Sequence, residues 1–275
     1  MRRVETPSVT GWLTGETRGR TGVVVLGGSS GRVDVSRAEL FAAQGTAALA
    51  LQWFGGPGQA QGICEIPIET FIAATDHLAA LDCRRIVYVG TSKGAEAALL
   101  AAVHDPRIDA VIAISPSSVV WGNIGPGLDG ISWPERSSWT LGGSALPFVP
   151  ADPTFKPPLR ENLKAYRTLF EHSLSRFESL VETATIRIED ARADTLLVAG
   201  GDDALWPSDR FAEMLVARAH AAGRTIDYLT DPDAGHRVLL PGETTKRSSL
   251  HAHGGSDVAD ARLGAMAWDH AVAIL

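Results

Sequence analysis

The sequence predicts an α/β fold with a mostly parallel central sheet, helices on both faces and an inserted cap. Apolar, strand-like runs alternate with helix-like segments along most of the chain, which is the pattern of parallel strands joined by crossover helices. The pentapeptide G-T-S-K-G at 90–94 lies between one such strand and one such helix. A stretch rich in Gly, Pro and Ser, from residue 119 to about 158, breaks the alternation.

In chain order, β-branched and apolar runs predict the strands, and amphipathic segments predict the helices. Gly45 ends the first helix, and Pro207 precedes a later one. Before the break, strands are expected at 23–26, 46–53, 85–89 and 108–114, and helices at 37–44, 66–81 and 95–102. After it, strands are expected at 195–199 and 225–229, and helices at 160–180, 208–222 and 257–275. We therefore expect a single domain over residues 1–275, with a lid insertion at about 119–180.

Composition and charge exclude several classes of function. The 275 residues are 45% hydrophobic, which is typical of a soluble globular protein. Lys and Arg number 25 against 32 Asp and Glu, and no dense basic run indicates a nucleic-acid partner. No signal peptide or membrane-spanning window is present. The only cysteines, Cys64 and Cys83, do not form a disulfide framework, so we expect a cytoplasmic protein without a membrane partner.

The pentapeptide has the features of a nucleophile elbow, the strained strand-to-helix turn that raises a serine hydroxyl above a sheet. Gly90 and Gly94 suit such a turn, because a tight reversal leaves no room for Cβ atoms beside the strained residue. Ser92 is therefore the candidate nucleophile of an acyl-transfer reaction. The side chain of Lys93 is expected to be solvated at the surface, since the helix dipole disfavours a cation in the first turn.

A serine nucleophile needs a base to take its proton and an acid to orient that base, and with this elbow the chain order is Ser, acid, His. Asp203 is preferred as the acid because it lies three residues beyond Gly200, the usual spacing in related hydrolases. Asp202 remains an alternative. His236 is the candidate base because it follows the last predicted strand.

The oxyanion formed during acyl transfer needs two preorganised donors. The backbone N–H of Lys93, which follows the nucleophile, is one candidate. The other is the backbone N–H of Ser29, in the glycine-rich loop after the first predicted strand. That loop lacks the G-x-G-x-x-G pattern of a dinucleotide site. The H-x-H at 251–253 has no cysteine or carboxylate cluster at ligand spacing, so no metal is expected.

Five motifs together resemble the catalytic domain of acyl-CoA thioesterases, which also forms the C-terminal part of bile acid-CoA:amino acid N-acyltransferase. They lie at residues 26–31, 90–96, 115–121, 201–208 and 234–236. The resemblance implies an α/β-hydrolase fold and no cofactor. The animal enzymes carry an N-terminal β-sandwich domain, for which this chain has too few residues before its first predicted strand. The acyltransferases use cysteine where this chain has Ser92, so hydrolysis is favoured over aminolysis.

We therefore expect a serine hydrolase that cleaves a small-molecule acyl thioester. Gly28, Trp121 and Trp206 are expected to contact the substrate, with the lid covering an apolar acyl pocket. A carboxylesterase of the dienelactone-hydrolase type and an acyltransferase to an amine or alcohol remain alternatives, as does a catalytically silent protein of the same fold. The acyl group, the oligomeric state and the thiol carrier, CoA or a carrier protein, are left open.

Overall fold

The computed structural model describes all residues from Met1 to Leu275, and its centre is an eight-stranded sheet. The strands are β1 Arg2–Glu5, β2 Thr10–Thr14, β3 Thr21–Leu26, β4 Ala47–Leu51, β5 Arg85–Thr91, β6 Ala110–Ile114, β7 Asp194–Gly200 and β8 Asp227–Asp231. The strand order is β1-β2-β4-β3-β5-β6-β7-β8, in which β2 runs antiparallel to β1 and β4 and every other neighbouring pair is parallel. The predicted mostly parallel sheet is confirmed.

The register brings the carboxyl ends of the central strands level with one another. Leu26 at the end of β3 lies opposite Gly90, and Thr91 at the end of β5 lies opposite Ile114 at the end of β6. Gly200 at the end of β7 pairs with Asp231 at the end of β8. The loops that follow these strands therefore meet at one edge of the sheet, where open α/β sheets bind their ligands.

Seven helices cover the two faces of the sheet and the insertion. The helices are α1 Val35–Ala42, α2 Glu69–Ala80, α3 Lys93–His104, α4 Arg167–Arg176, α5 Glu178–Ala184, α6 Ser208–Ala221 and α7 Asp257–Ile274. Successive strand residues face opposite layers, so Val23 and Val25 pack towards α1 and α7, whereas Val24 and Leu26 pack towards α2, α3 and α6. None of them has the length and apolarity needed to cross a bilayer.

Two features differ from the sequence-based expectation. Strands β1 and β2 were not predicted, because these short strands at one side of the sheet bury few residues, such as Val4 and Leu13. In place of the single helix expected at 160–180, Leu159–Arg160 and Leu163–Lys164 form a short hairpin, and the helical part is divided into α4 and α5. The break lies at Phe177, whose ψ of 34° is not helical.

The insertion between β6 and β7 is partly built into the core of the protein. Its strand Trp139–Leu141 pairs in parallel with Ile66–Pro67 and antiparallel with Ser144–Ala145. The Trp139 ring packs 5.5 Å from Trp53, centroid to centroid, inside the larger hydrophobic cluster. A second hairpin, Leu159–Arg160 with Leu163–Lys164, precedes α4, and a 3₁₀ turn at Ile188–Asp190 follows α5.

Candidate active site

Ser92 lies in the sharp turn between β5 and α3, with φ 57° and ψ −122°. A positive φ is strained for a residue with a Cβ atom and persists only where the surroundings enforce it. The two flanking glycines permit the close approach of β5 and α3. A Cβ atom at Gly90 would overlap the carbonyl oxygen of Gly94, and a Cβ atom at Gly94 would overlap that of Gly27. The turn therefore has the geometry of a nucleophile elbow.

Asp203 and His236 meet at the same end of the sheet as this turn, on the loops that follow β7 and β8. His236 Nδ1 lies 2.8 Å from Asp203 Oδ2, and both side chains are buried. This contact orients the imidazole ring with Nε2 as its remaining polar atom. The structure thus brings together the acid and base candidates at the sheet edge that holds Ser92.

The Asp203 carboxylate is surrounded by hydrogen-bond donors. Oδ1 accepts from the N–H groups of Leu205 at 2.8 Å and Trp206 at 3.2 Å, and Oδ2 also accepts from the Ser208 hydroxyl at 2.6 Å. An ionised carboxylate only accepts, so these donors suit the charged form and hold it in one orientation. Asp203 is therefore fixed as a hydrogen-bond acceptor for His236.

The neighbouring Asp202 faces a different partner. Both of its oxygens accept from the Arg160 guanidinium, at 2.7 and 2.6 Å, and Oδ2 also accepts from the Gly255 N–H. The Arg160 hydrogen bonds lower the pKa of the Asp202 carboxyl. Of the two carboxylates that the sequence left open, only Asp203 contacts His236.

Ser115 holds the backbone of the histidine loop, and sequence reasoning did not identify it as a site residue. Its hydroxyl donates to the His236 carbonyl oxygen at 2.9 Å, and its own carbonyl accepts from Trp206 Nε1 at 3.1 Å. Ser115 has φ 48°, a second strained residue at the end of a central strand. No sequence pattern signals such a conformation at a serine.

The loop after β3 lies against the nucleophile. A Cβ atom at Gly28 would be 3.3 Å from Ser92 Cβ and 3.3 Å from the Thr91 carbonyl oxygen. Ser29, the next residue, is exposed. Lys93 is the first residue of α3, and N–H groups in a first helical turn have no acceptor within the helix. The loop that carries Ser29 and the first residue of α3 therefore both adjoin the nucleophile.

The expectation that the Lys93 side chain is solvated is wrong. Lys93 is 1% exposed, and its Nζ atom donates to Glu96 Oε2 at 2.7 Å. Burial lowers the pKa of the Lys93 ammonium, and the Glu96 carboxylate opposes that shift. The Glu96 carboxylate offsets the cost of burying the Lys93 ammonium, because residues at i and i+3 lie on the same face of a helix. The K-x-x-E spacing of Lys93 and Glu96 was the sequence signal that could have predicted this ion pair.

An apolar cavity of about 570 Å³ lies within the insertion, and Trp206 is its one lining residue from outside that segment. Trp121 and Trp206, both expected to contact substrate, line it. Trp206 also packs edge-on against His236, with ring centroids 5.9 Å apart, so one indole contacts both the cavity and the histidine. Other lining residues include Trp133, Phe155, Tyr166, Leu169 and Phe170.

His253 is a further neighbour of the site that sequence reasoning missed. Its ring lies 5.7 Å from that of His236, and its carbonyl oxygen accepts from the His236 N–H at 2.8 Å. Burial, followed by the charge of His236, lowers the pKa of His253 to about 4. A neutral imidazole therefore stands beside the base candidate at neutral pH.

Sheet topology, elbow and histidine loop define the fold of an α/β hydrolase, and solved structures of that fold are similar. A candidate dienelactone hydrolase of Klebsiella pneumoniae superposes with a TM-score of 0.55 at 15% identity, covering 96% of this chain and 91% of the other. Est1E of Butyrivibrio proteoclasticus, solved with ferulic acid bound, superposes with a TM-score of 0.52 at 16% identity, covering 86% of this chain and 91% of Est1E. The predicted fold class is confirmed.

The chain belongs to the BAAT / acyl-CoA thioester hydrolase C-terminal family, whose sequence model matches residues 66–275. It is 26% identical over 241 residues to human acyl-coenzyme A thioesterase 1, covering 86% of this chain and 53% of that protein. It is 23% identical over 258 residues to human acyl-coenzyme A thioesterase 6, covering 90% of this chain and 57% of that protein. The chain therefore spans about half the length of the curated relatives it matches.

Proposed function

We propose that this chain is a serine hydrolase that cleaves an acyl thioester of the acyl-CoA type. The observation that carries the proposal is the 2.8 Å contact of His236 Nδ1 with Asp203 Oδ2, beside the strained elbow that presents Ser92. Family membership and the names of the thioesterase relatives support the thioester as the substrate class. The chemistry uses no cofactor.

In the proposed first step, the Ser92 hydroxyl attacks the acyl carbonyl carbon while His236 Nε2 accepts the hydroxyl proton. Asp203 stabilises the imidazolium that forms. The carbon–sulfur bond then breaks, the sulfur takes the proton from His236, and the acyl group remains on Ser92 as an ester. His236 then takes a proton from water, and the water oxygen attacks the acyl carbon of that ester. The bond from this carbon to Ser92 Oγ breaks, Oγ takes the proton from His236, and the carboxylic acid leaves.

The negative charge on the substrate oxygen would be stabilised by the backbone N–H groups of Ser29 and Lys93. The proximity of Gly28 to Ser92 supports this assignment, because the loop that carries Ser29 passes directly beside the nucleophile. Donors fixed in the backbone need no reorganisation when the charge develops.

The acyl group would occupy the cavity lined by Trp121 and Trp206. Trp206 packs against His236, so the cavity adjoins the proposed base through one shared side chain. Nine of the seventeen lining residues are hydrophobic, consistent with an apolar ligand group.

We also infer a reducing, cytoplasmic setting, since Cys64 and Cys83 are both unpaired.

The test combines covalent labelling with a substrate panel. A fluorophosphonate probe should label the wild-type chain, and Ser92→Ala should abolish labelling, with folding checked by circular dichroism. Release of free thiol from butanoyl-, octanoyl- and palmitoyl-CoA, compared with cleavage of the matching aryl esters, separates a thioesterase from a carboxylesterase. Labelling that survives Ser92→Ala would contradict the assignment of Ser92 as the nucleophile. Cleavage of the esters without cleavage of the CoA thioesters would contradict the proposed substrate class.

A further inference from the structure

The first turn of α3 contains an ion pair that the proposed chemistry does not use. Lys93 Nζ donates to Glu96 Oε2 at 2.7 Å, and the two side chains are 1% and 0% exposed. Removing both charges from water is unfavourable, so a buried pair of this kind is weak evidence for a stabilising role. Its place directly after Ser92 points to a different role.

Glu96 also joins the nucleophile helix to the insertion. Its second oxygen, Oε1, accepts from the backbone N–H of Trp121 at 3.1 Å and from the indole Nε1 of Trp139 at 2.6 Å. The Lys93 ammonium lies over the Trp139 ring, 4.9 Å from its centroid, which adds a cation–π contact. One carboxylate thus connects α3 with two separate points of the insertion.

We propose that the Lys93 side chain and Glu96 are positioning residues for this site. The pair holds the Lys93 backbone N–H where the oxyanion forms, and Glu96 holds Trp121 at the wall of the apolar cavity. This inference rests on the proposed function, because it assigns the two side chains a task in that reaction. It links the oxyanion donor and the acyl site through one buried carboxylate.

The physical argument starts from the strained backbone of Ser92. A residue at φ 57° keeps that conformation only if its neighbours are fixed on both sides. The ion pair clamps the first turn of α3 from Lys93 to Glu96, directly after the strained residue. Oxyanion stabilisation depends on donor placement, and a displacement of about 1 Å lowers turnover by about 100-fold.

The experiment compares Lys93→Met, Glu96→Gln and the double variant Lys93→Met/Glu96→Gln. Each single change leaves one charged partner buried without its counter-charge, so both should lower Tm and kcat. The double variant removes both charges and keeps an amide oxygen for the two tryptophan donors, so its Tm should recover. Its kcat for octanoyl-CoA should stay about 10- to 100-fold below wild type, with KM within about 3-fold.

A second readout follows from the contact with Trp121. The ratio of kcat/KM for octanoyl-CoA to that for butanoyl-CoA should change in Glu96→Asp, because the shorter side chain withdraws the carboxylate from the Trp121 N–H and the cavity wall is no longer held. Asp105→Asn is the matched control. Asp105 is a buried partner of Arg107 at the opposite end of α3, so this change should lower Tm without altering the chain-length ratio.

Return of kcat to the wild-type value together with Tm in the double variant would overturn the inference and leave a purely structural pair. If the double variant does not fold, Glu96→Asp replaces it. That change keeps the charge and withdraws the carboxylate from Trp121, so an unaltered kcat and chain-length ratio would equally overturn the inference. Failure of the proposed function is distinct, because it appears in the wild-type chain or in Ser92→Ala.

Discussion

The guanidinium of Arg37, on α1, donates a hydrogen bond to the hydroxyl of Thr91, the residue that precedes Ser92. The same guanidinium binds both oxygens of Glu243, at 2.7 and 2.8 Å. Glu243 lies on the segment that follows His236, and its Oε2 also accepts from the Leu240 N–H. One buried ion pair therefore connects the nucleophile turn with the histidine segment.

The first prediction is that this pair contributes strongly to stability. Arg37→Met leaves Glu243 charged and buried without a partner, which should lower the free energy of unfolding by about 3–5 kcal/mol. The double variant Arg37→Met/Glu243→Leu should recover most of that loss. Urea denaturation measures both values.

An exposed pair provides the control for this prediction. Arg187 and Asp190 are 62% and 47% exposed, and Arg187→Ala should leave the free energy of unfolding almost unchanged, because exposed ion pairs contribute little to stability. Equal losses for Arg37→Met and Arg187→Ala would show that burial of the Arg37 pair is not important.

The second prediction concerns the space beside the nucleophile. Gly28→Ala places a Cβ atom 3.3 Å from Ser92 Cβ, closer than most such contacts, so Ser92 or the loop must shift. We expect kcat/KM to fall by about 10-fold or more, with Tm little changed. Ala43→Ser, which also adds one heavy atom but at an exposed position directly after α1, is the control. Full activity in Gly28→Ala would show that the loop adapts.

The elbow could be predicted from sequence because its signals are local. Glycines two residues on either side of Ser92, a preceding apolar run and a following alanine-rich segment all lie within one short stretch. The order of the later strands likewise placed Asp203 and His236 on adjacent loops. Their separation of 2.8 Å, and the different orientation of Asp202, depend on the folded loops and required the structure.

Features that depend on distant or backbone contacts could not be predicted. The burial of Lys93 requires Trp139 to cover it, and Trp139 belongs to the insertion, where sequence periodicity fails. The strained φ of Ser115 has no residue-type signal, because serine seldom adopts it. His253 reaches His236 only because the chain after Gly235 folds back over the site.

The third prediction separates the two neighbouring carboxylates. Asp203→Asn should lower kcat by about 10⁴-fold, because an amide in place of the carboxylate favours the wrong imidazole tautomer. Asp202→Asn loses charge pairing with Arg160 and should mainly lower Tm. Steady-state hydrolysis of octanoyl-CoA and thermal denaturation measure the two effects. A larger fall in kcat for Asp202→Asn would reverse the assignment of the acid.

The fourth prediction is that His253 makes the folded state sensitive to mild acid. Burial, His236, Arg237 and Arg247 all lower its pKa, Asp203 opposes them, and the result is about 4. The Nδ1 atom is buried without a hydrogen-bond partner, so protonation would create a buried donor without an acceptor.

An unfolded histidine has a pKa of about 6.5. Below that pH the unfolded chain therefore binds a proton that folded His253 resists. The neutral, buried His253 therefore gives its full contribution to the free energy of unfolding above about pH 6.5, and that contribution is lost as the pH falls towards 4. We expect Tm to fall over that interval in the wild-type chain, and to fall less in His253→Gln. His270→Gln, on the exposed face of α7, should leave the profile unchanged. Parallel Tm profiles for the wild-type chain and His253→Gln would rule out His253 as the source of the acid sensitivity.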